Sequence, residues 1–505
     1  LSVIPILLGF DYQARWFWLE AVRLLHRQSA LARVSIEDRE TPGFDDVVSR
    51  LVPARSTDVW EKPLAFEAYQ AKFHVDHRRA IGYAALADPE FIGATTSLLE
   101  RLRGACLRAD SRGEHGRFTL VSPWSLAQGD LIGELWGTDG SFRPSRLFDG
   151  TGDRSATGRV RKAWRKHLGV DDAALEGVLR RFRLLPRDPE MVDRLLESLL
   201  DNAGLAAVSA GSVAHPYVDL VNAHVKRDER DFDADALRRS LTTARLWAGD
   251  PPEDDGRRAI AIRSRIIGAV HLDDEAADLL DLVPQFHDRA LAGGVDWDRD
   301  VAPRIVAFAR EHVAAGARYR LYLDAHASIA FAAGWTLHRA DVVPVQAIRG
   351  RLVPWPAEGP VPDGPLYRDA DPIEVAGSGG PDIAVALSVT HDVLPAVMAQ
   401  VARSLPAVGQ VIELKVPDPG PTSVVDGAHA DALAIEAVER IRAVRRADGR
   451  VGRVHLFAAA PNGLVFQLGR RSRLLGPTTV HEFDFENPHR GYTPGITVPI
   501  TSEEA

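Results

Sequence analysis

Apolar side chains recur every three residues through Trp16, Leu19, Val22 and Leu25, which predicts a buried helix over Tyr12 to Leu25. Apolar runs follow at Leu31 to Ile36, Val47 to Val48 and Ala68 to Val75, with a turn at Thr41, Pro42 and Gly43. The chain therefore opens as a helix followed by strands. From Ala163 to Leu205 the period is helical, through Leu179 with Phe182 and then Val192, Leu196 and Leu199, and it is helical again over Ala234 to Trp247. This middle region reads as a small helical domain. The acidic, proline-containing DPPEDDG at Asp250 to Gly256 is the best candidate linker.

Beyond it a pattern repeats. Arg320 to Leu323 is strand-like, Asp324 to Ser328 is a polar loop, and Ile329 to Ala333 is helix-like. The same order returns at Ile383 to Leu387, Ser388 to His391 and Val393 to Val401, and a third unit runs over Val451 to Ala459 and turns at Ala460 to Gly463. Pro- and Gly-rich segments at Pro354 to Pro365 and Gly377 to Pro381 separate the units. Strand, polar loop and helix in alternation predict an α/β domain of two related halves. Ligands of such sheets sit at the carboxyl ends of the strands, where helix N-termini favour phosphate.

With 505 residues, 45% of them hydrophobic, the chain can bury several cores. A formal charge of -9 excludes a protein that coats nucleic acid over its whole surface, so any such contact is local. The single cysteine, Cys106, excludes an internal disulfide and a cysteine-based zinc site and fits a reducing cytoplasm. The apolar opening, Leu1 to Phe10, is broken by Pro5 and lacks a basic leader, and no later run is long enough to span a bilayer, so a cytoplasmic protein without membrane contact is expected. The start at Leu1 leaves open whether the natural N-terminus is present.

The sharpest chemistry near the N-terminus is Asp45 and Asp46 before a short apolar run, followed by Tyr69, Gln70, Ala71 and Lys72. In a strand, Gln70 and Lys72 project to one face, so a carboxylate, an amide oxygen and an ammonium can converge. Oxygen ligands of that kind suit Mg²⁺ or Mn²⁺, and a lysine neutralises charge developing on a phosphate. Alternatively, the two aspartates cap a turn and Lys72 is solvated. At these residues, and at Gly9, Phe10, Tyr12 and Gln13, the chain resembles the PD-(D/E)xK nuclease superfamily in its Mrr-like branch, whose last motif reads Gln-x-Lys. The resemblance implies Asp46 as metal carboxylate, Gln70 as the ligand in the usual acidic position and Lys72 as catalytic lysine. Asp45 and Glu37 are further candidates for the metal shell, with Glu20 on the first helix behind them. Gln70 departs from the usual Glu, and Ser49 and Arg50 cut short the apolar strand after the acids.

A DNA substrate needs a positive surface. Arg154, Arg159, Arg161, Lys162, Arg165 and Lys166 lie in a stretch without an acid, with Asp153 just outside it. Such a cluster suits phosphates, and a solvated helix face is the competing reading.

Four stretches of the C-terminal half, Leu321 to Gly334, Val385 to His391, Val454 to Leu468 and Gly491 to Pro499, resemble the SAVED domain of CBASS antiphage defence, a sensor of two fused CARF-like units. The resemblance implies binding of a cyclic di- or trinucleotide made by a cognate nucleotidyltransferase, ligand-driven homo-oligomerisation, and activation of cleavage of double-stranded DNA. Candidate ligand contacts are His326, Ser328, Trp355, Ser388, Thr390, Pro461 and Asn462, because the polar ones follow strand-like runs and a tryptophan can stack on a base. Trp335 is a second stacking candidate, while a core histidine at 326, a helix cap at Ser388 and core tryptophans are the duller alternatives. His391 next to Asp392 reads as a cap rather than a metal site.

The predicted architecture is therefore α/β: a restriction-endonuclease-like domain over 1–155, a helical connecting region over 156–255, and a SAVED domain of two CARF-like Rossmann-type units over 256–505. The predicted function is a metal-dependent DNA endonuclease switched on by a cyclic oligonucleotide. A sensor or scaffold with an inactive nuclease-like domain is the first alternative, and an enzyme that degrades its own bound cyclic nucleotide is the second.

Overall fold

A computed structural model of the chain describes residues 4–26, 28–52, 58, 62–73, 80–137, 139–149, 152–208, 215–248, 255–265, 272–287, 289–348, 351–375, 380–447, 452–484 and 491–500. Two compact units result, one of Leu1–Glu253 with Gly268–Glu275, the other of Asp254–Ile267 with Ala276–Ala505.

In the first unit, α1 (Ile4–Ala21) runs into a single 3-10 turn at Val22–Leu25. Tyr12, Ala14, Trp16, Phe17, Trp18 and Leu19 are all buried, more than one stripe of the helix. A helix that is apolar on several sides must be covered on several sides. Strands cover one side of α1, and the helices Pro189–Asn202 and Pro216–Lys226 cover the other. The polar ends of its aromatics are satisfied too: Trp18 Nε1 donates to Tyr217 O at 2.7 Å and Tyr12 OH to Arg187 O at 2.9 Å.

The sheet of this unit contains β1 (Leu31–Ile36), β2 (Val47–Leu51), β3 (Phe66–Ala71), β4 (Gly116–Ser122), β5 (Phe182–Pro186) and β6 (Asp231–Phe232), in the order β5-β4-β3-β2-β1-β6. The first three strands form an antiparallel meander, and β3, β4 and β5 are parallel. Parallel neighbours need crossovers. One contains α2 (Leu98–Ser111), begun by a Ser97/Glu100 capping box, and the next contains α3 (Ala156–Leu168). Because side chains alternate along a strand, Val47 and Tyr69 join the core around α1, whereas Val48, Phe66 and Ala68 join the core around α2.

The second unit has a five-stranded sheet, β13-β12-β11-β7-β8, and a six-stranded one, β14-β16-β15-β17-β18-β19. The first comprises β7 (Arg258–Arg263), β8 (Asp278–Asp281), β11 (Arg318–Asp324), β12 (Asp341–Ile348) and β13 (Arg351–Pro354), with a ribbon of β9 (Phe286–His287) and β10 (Ala290–Leu291) beside it in sequence. The second comprises β14 (Ile373–Glu374), β15 (Asp382–Ser388), β16 (Val408–Lys415), β17 (Val454–Ala459), β18 (Thr478–Phe483) and β19 (Tyr492–Val498). The five-stranded sheet is parallel except at its β13 edge, and the six-stranded sheet has a parallel centre with antiparallel edges at β14 and β19. The helices that follow β11 and β17, α4 (Ala327–Thr336) and α5 (Asn462–Arg471), pack directly on one another. Glycines allow this contact. A Cβ on Gly334 would stand 2.1 Å from Phe466 O, and one on Gly469 would stand 2.1 Å from Phe331 O.

Two sequence expectations change. The separate helical region over 156–255 is not separate: its β5 and β6 form the two edges of the first sheet, and its helix Pro189–Asn202 covers α1. Phe182 starts a strand rather than continuing a helix, because FRLLP is a short apolar run buried on both faces, which periodicity cannot tell from a helical segment. The boundary expected at Asp250 to Gly256 coincides with the division between the units, although residues 250–254 lie outside the described ones. Val75 lies outside them as well. Among the described residues, no helix is long and apolar enough to cross a membrane.

Candidate functional site

The register Val47↔Tyr69 sets Asp46, the residue before β2, opposite Gln70 on β3. Asp46 Oδ2 accepts from Ala71 N at 2.7 Å and from Gln70 Nε2. From α1, Gln13 Nε2 donates to the main-chain oxygen of Asp46 at 3.2 Å. Lys72 follows β3, its main-chain N donating to Val121 O at 2.9 Å, and its ammonium acts on the Asp46 carboxylate. Burial raises Asp46 to about 6, while Lys72, the Ala71 amide and the Gln70 amide oppose the rise and Asp45 adds to it. A partly desolvated carboxylate of this kind gains from a cation. Asp46, Gln70 and Lys72 thus lie together, with the nitrogen of the Gln70 amide turned to the carboxylate.

The outer members of the expected metal shell are held elsewhere. Asp45 Oδ1 accepts from Gly43 N at 3.2 Å inside the turn. Glu37 has a left-handed backbone, φ 50°, and ion-pairs with Arg230 although its N donates to Asp46 O at 3.1 Å. Glu20 is buried against Arg23 at 2.6 Å and Ser49 Oγ at 2.9 Å. Among the described residues no group of three or more His, Cys, Asp or Glu is arranged to hold a metal. The donor set that remains, one carboxylate and one amide, suits Mg²⁺, which keeps several waters and is bound through one or two carboxylates plus phosphate oxygens.

Folding divides the basic cluster. Arg159, Lys162 and Lys166 are exposed on α3, with Arg154 just before it. Arg161 is buried, reaching Asp153 at 3.1 Å and Leu147 O at 3.2 Å, and Arg165 pairs with Asp153 at 3.1 Å and Asp172 at 3.2 Å. Acids that lie outside the run in sequence neutralise two of its six members.

In the second unit the candidate ligand residues meet around the loop from Ala459 to Gly463. Asn462 Nδ2 donates to Leu323 O at 3.1 Å and to Ala325 O at 2.9 Å, tying the start of α5 to the end of β11. Pro461 is the N-cap of α5. Thr390 N donates to Ala459 O at 2.8 Å, and its hydroxyl lies 3.2 Å from His391 Nδ1. Trp355 is buried next to Gly463, where a Cβ would be 2.9 Å from its ring, and its indole N–H has no partner among the described residues. Ser388 is fully buried at the end of β15, and its hydroxyl oxygen accepts from Val393 N at 3.1 Å. His326 is 5% exposed, bonded to Ser264 Oγ at 2.7 Å and Arg289 O at 3.1 Å and stacked on Phe286. Ser328 is fully buried, its N donating to Glu482 Oε1 at 2.6 Å. Those three side chains are held by the protein itself. Trp335, the second stacking candidate, carries Arg473 over its ring at 4.4 Å.

Sequence reasoning missed the charges beside His326. Burial raises Asp324, at the end of β11, to about 6 against the pull of Arg265 and Arg263. Burial and Arg289 lower Arg265, and its Nε has no partner among the described residues. A partly buried guanidinium at a strand end is a strong anion contact. The available signal was Arg263 and Arg265 directly after the apolar run Ala259 to Ile262.

Residues 301–498 match the family described as SAVED, the SMODS-associated and fused to various effectors sensor domain. The CD-NTase-associated protein 4 of Enterobacter hormaechei subsp. hoffmannii (strain UCI 50) is 33% identical over 521 residues, covering 98% of this chain and 99% of that protein. A solved Acinetobacter baumannii Cap4 SAVED/CARF-domain containing receptor, with the cyclic trinucleotide 3'3'3'-cAAA, is 16% identical over 97% of this chain and 98% of that one, with a TM-score of 0.37. A Moraxella osloensis receptor of the same description is 14% identical over 97% and 99%, with a TM-score of 0.34. With a third of its residues shared along nearly the full length of a curated relative, the chain belongs to the CD-NTase-associated protein 4 family and carries a SAVED sensor domain.

Proposed function

We propose that this protein is a CBASS antiphage effector: a cytoplasmic endonuclease that cuts double-stranded DNA when its SAVED domain binds a cyclic oligonucleotide. The observation that carries the nuclease reading is the convergence of Asp46, Gln70 and Lys72 at neighbouring ends of β2 and β3, gripped from α1 by Gln13. The order α1-β1-β2-β3-α2-β4, with an antiparallel meander leading to parallel β3 and β4, supports it as the arrangement expected of the PD-(D/E)xK resemblance. Asp46 and Gln70 would hold Mg²⁺ or Mn²⁺. Bound there, the cation supplies Lewis-acid stabilisation to the scissile phosphodiester. Lys72 neutralises charge developing on the phosphate, and Gln13 fixes the main chain from which Asp46 projects. Arg159, Lys162 and Lys166 offer phosphates an exposed basic face.

In the second unit, the loop at Ala459 to Gly463 with Arg265 is the proposed seat of a cyclic di- or trinucleotide. The family name, with its reference to a CD-NTase, supports a cognate nucleotidyltransferase as the source. Binding would favour a self-associated, active state over the resting one.

The test is plasmid cleavage with Mg²⁺ against a panel of cyclic di- and trinucleotides that includes 3'3'3'-cAAA, beside a no-ligand control. Cleavage with one ligand, lost in Lys72→Ala while ligand binding persists, is the expected result. Binding without cleavage would establish the alternative, a sensor with an inactive nuclease-like domain. One observation favours that alternative: the Gln70 amide donates to the very carboxylate that a metal requires. Recovery of the ligand intact after incubation excludes its degradation by the protein.

A further inference from the structure

The carboxyl ends of β3, β4 and β5 share one rim of the first sheet with the start of β2, because β2 runs antiparallel to β3. The candidate nuclease centre occupies the β2–β3 part of that rim, through Asp46, Gln70 and Lys72. The β5 part holds Arg187. Lys72 N donates to Val121 O at 2.9 Å and Arg187 N donates to Ser122 O at 2.7 Å, so the two residues flank the end of β4. Two strand spacings, about 10 Å, separate their main chains.

α1 ties both parts of the rim together. Gln13 Nε2 holds the main-chain oxygen of Asp46 at 3.2 Å, and the adjacent Tyr12 OH donates to Arg187 O at 2.9 Å. The Tyr12 ring also lies 5.7 Å from that of Phe73, the residue after Lys72. Tyr12 is 1% exposed, so a buried side chain fixes the main chain of Arg187. The guanidinium lacks a counter-charge. Its Nη1 donates to Pro186 O at 3.0 Å, and among the described residues no carboxylate pairs with it. Asp188, the acid next to it in sequence, is committed elsewhere: its Oδ1 accepts from Glu190 N at 2.8 Å and caps the helix Pro189–Asn202. Burial holds Arg187 below the ordinary arginine value, with Tyr12 acting against the fall. A half-buried cation of this kind carries a desolvation cost that an anion arriving at the rim offsets. Arginine is also the side chain that takes a phosphate through two parallel N–H bonds.

We propose that Arg187 is a DNA contact of the first unit, binding a backbone phosphate of the strand being cut. About 10 Å is the axial length of about three phosphates of one strand, so its phosphate lies within about three nucleotides of the one held at Lys72. This rests on the nuclease reading above. Lys72 alone gives the strand one fixed point about which it can pivot. Arg187 adds a second, which sets the line of the strand across Asp46.

Anisotropy titrations of the full-length protein with a short labelled DNA duplex test the contact, in EDTA so that nothing is cut and with the cyclic nucleotide panel present or absent. Arg187→Gln is expected to weaken binding roughly tenfold and to reduce the slope of log K against log salt by about 0.9. Arg187→Lys should keep the parent slope, which a merely structural role for the arginine does not predict. An unchanged slope in Arg187→Gln, an equal loss of slope in Arg187→Lys, or a parent protein that binds no duplex would overturn the proposal. If Arg187→Gln does not fold, Arg187→Met, which keeps the apolar length of the side chain, takes its place with the same outcomes. Mg²⁺-dependent plasmid cleavage is scored separately. A reduced slope in Arg187→Gln without cleavage by the parent removes the nuclease reading and leaves the DNA contact, whereas cleavage by the parent with an unchanged slope does the reverse.

Discussion

Gly334→Ala should destabilise the sensor unit strongly, although glycine-to-alanine normally helps a helix. On an exposed helix the exchange stabilises by about 0.5–1 kcal/mol. At Gly334, however, the new Cβ would be 2.1 Å from Phe466 O and 2.9 Å from Arg470 N, both main-chain atoms that cannot swing aside. Relief requires α4 and α5 to part by roughly 1 Å, and a gap of that size forfeits about a quarter to a half of each contact's dispersion energy. Overpacking of this kind costs about 1–3 kcal/mol, and a backbone neighbour puts Gly334 near the upper limit. For a unit of this size that is a fall in Tm of about 6–12 °C. Differential scanning calorimetry of the full chain reads it directly. Gly177→Ala, on an exposed helical position with nothing within 4 Å, is the control and should raise stability slightly. Gly469→Ala should match Gly334→Ala, and the double variant should cost less than the sum, because one separation relieves both clashes. A Gly334→Ala protein melting within about 2 °C of the parent would refute the backbone contact of α4 and α5 and the pairing of the two halves that it implies.

The remaining predictions follow from single contacts. Replacing Arg159, Lys162 and Lys166 by Gln should lower DNA affinity and reduce the slope of log K against log salt by roughly 2.7, at about 0.9 per phosphate contact, in fluorescence-anisotropy titrations. An unchanged slope would place the DNA elsewhere. Asn462→Ala leaves the buried Leu323 and Ala325 carbonyls without their partner, at about 1–3 kcal/mol each, so the sensor unit should melt earlier and bind its cyclic nucleotide more weakly. Isothermal titration at matched temperature would count against the loop as ligand seat if affinity held. His26 carries a pH signature: burial lowers it, but the Glu275 bond and charge, with Asp274, outweigh burial and Arg23 and leave it raised. Stability from a raised histidine is fully present below its unfolded value of about 6.5 and is lost as pH rises through the folded value. Urea unfolding should therefore show the first unit losing stability with rising pH in that window, and His26→Gln should abolish the dependence.

How much of this was legible in the sequence depends on how local each signal was. β1 at Leu31 to Ile36, β15 and β17 were visible because each is an apolar-rich run between polar or turn residues. α1 was visible by its period, yet not the breadth of its burial, since Pro189–Asn202 and Pro216–Lys226 reach it from far along the chain. The place of β5 was hidden for the same reason: a five-residue strand declares itself only by pairing with β4. At the site, Gln70 and Lys72 were readable from spacing as one strand face, while Asp46 was grouped with them by the resemblance and meets Gln70 through the β2–β3 register. The ion pair of Glu37 with Arg230 was not legible, because the two are far apart in sequence.

The same distinction accounts for the ligand residues. Hydroxyls and histidines after strands mark the edge where a ligand sits, but sequence cannot say whether they serve the ligand or the protein. Here the Ser388 hydroxyl accepts from Val393 N, His326 is held by Ser264 and Arg289, and the Ser328 hydroxyl donates to Val480 O. A side chain with its hydrogen bonds already made in a buried place has little to offer a phosphate without first breaking them. Arg265 is the opposite case, partly buried beside Asp324 with its Nε unpartnered among the described residues. The strand-end rule points to the edge, and the balance of satisfied and unsatisfied groups, which only the fold supplies, favours the arginine over the histidine as the proposed anion contact.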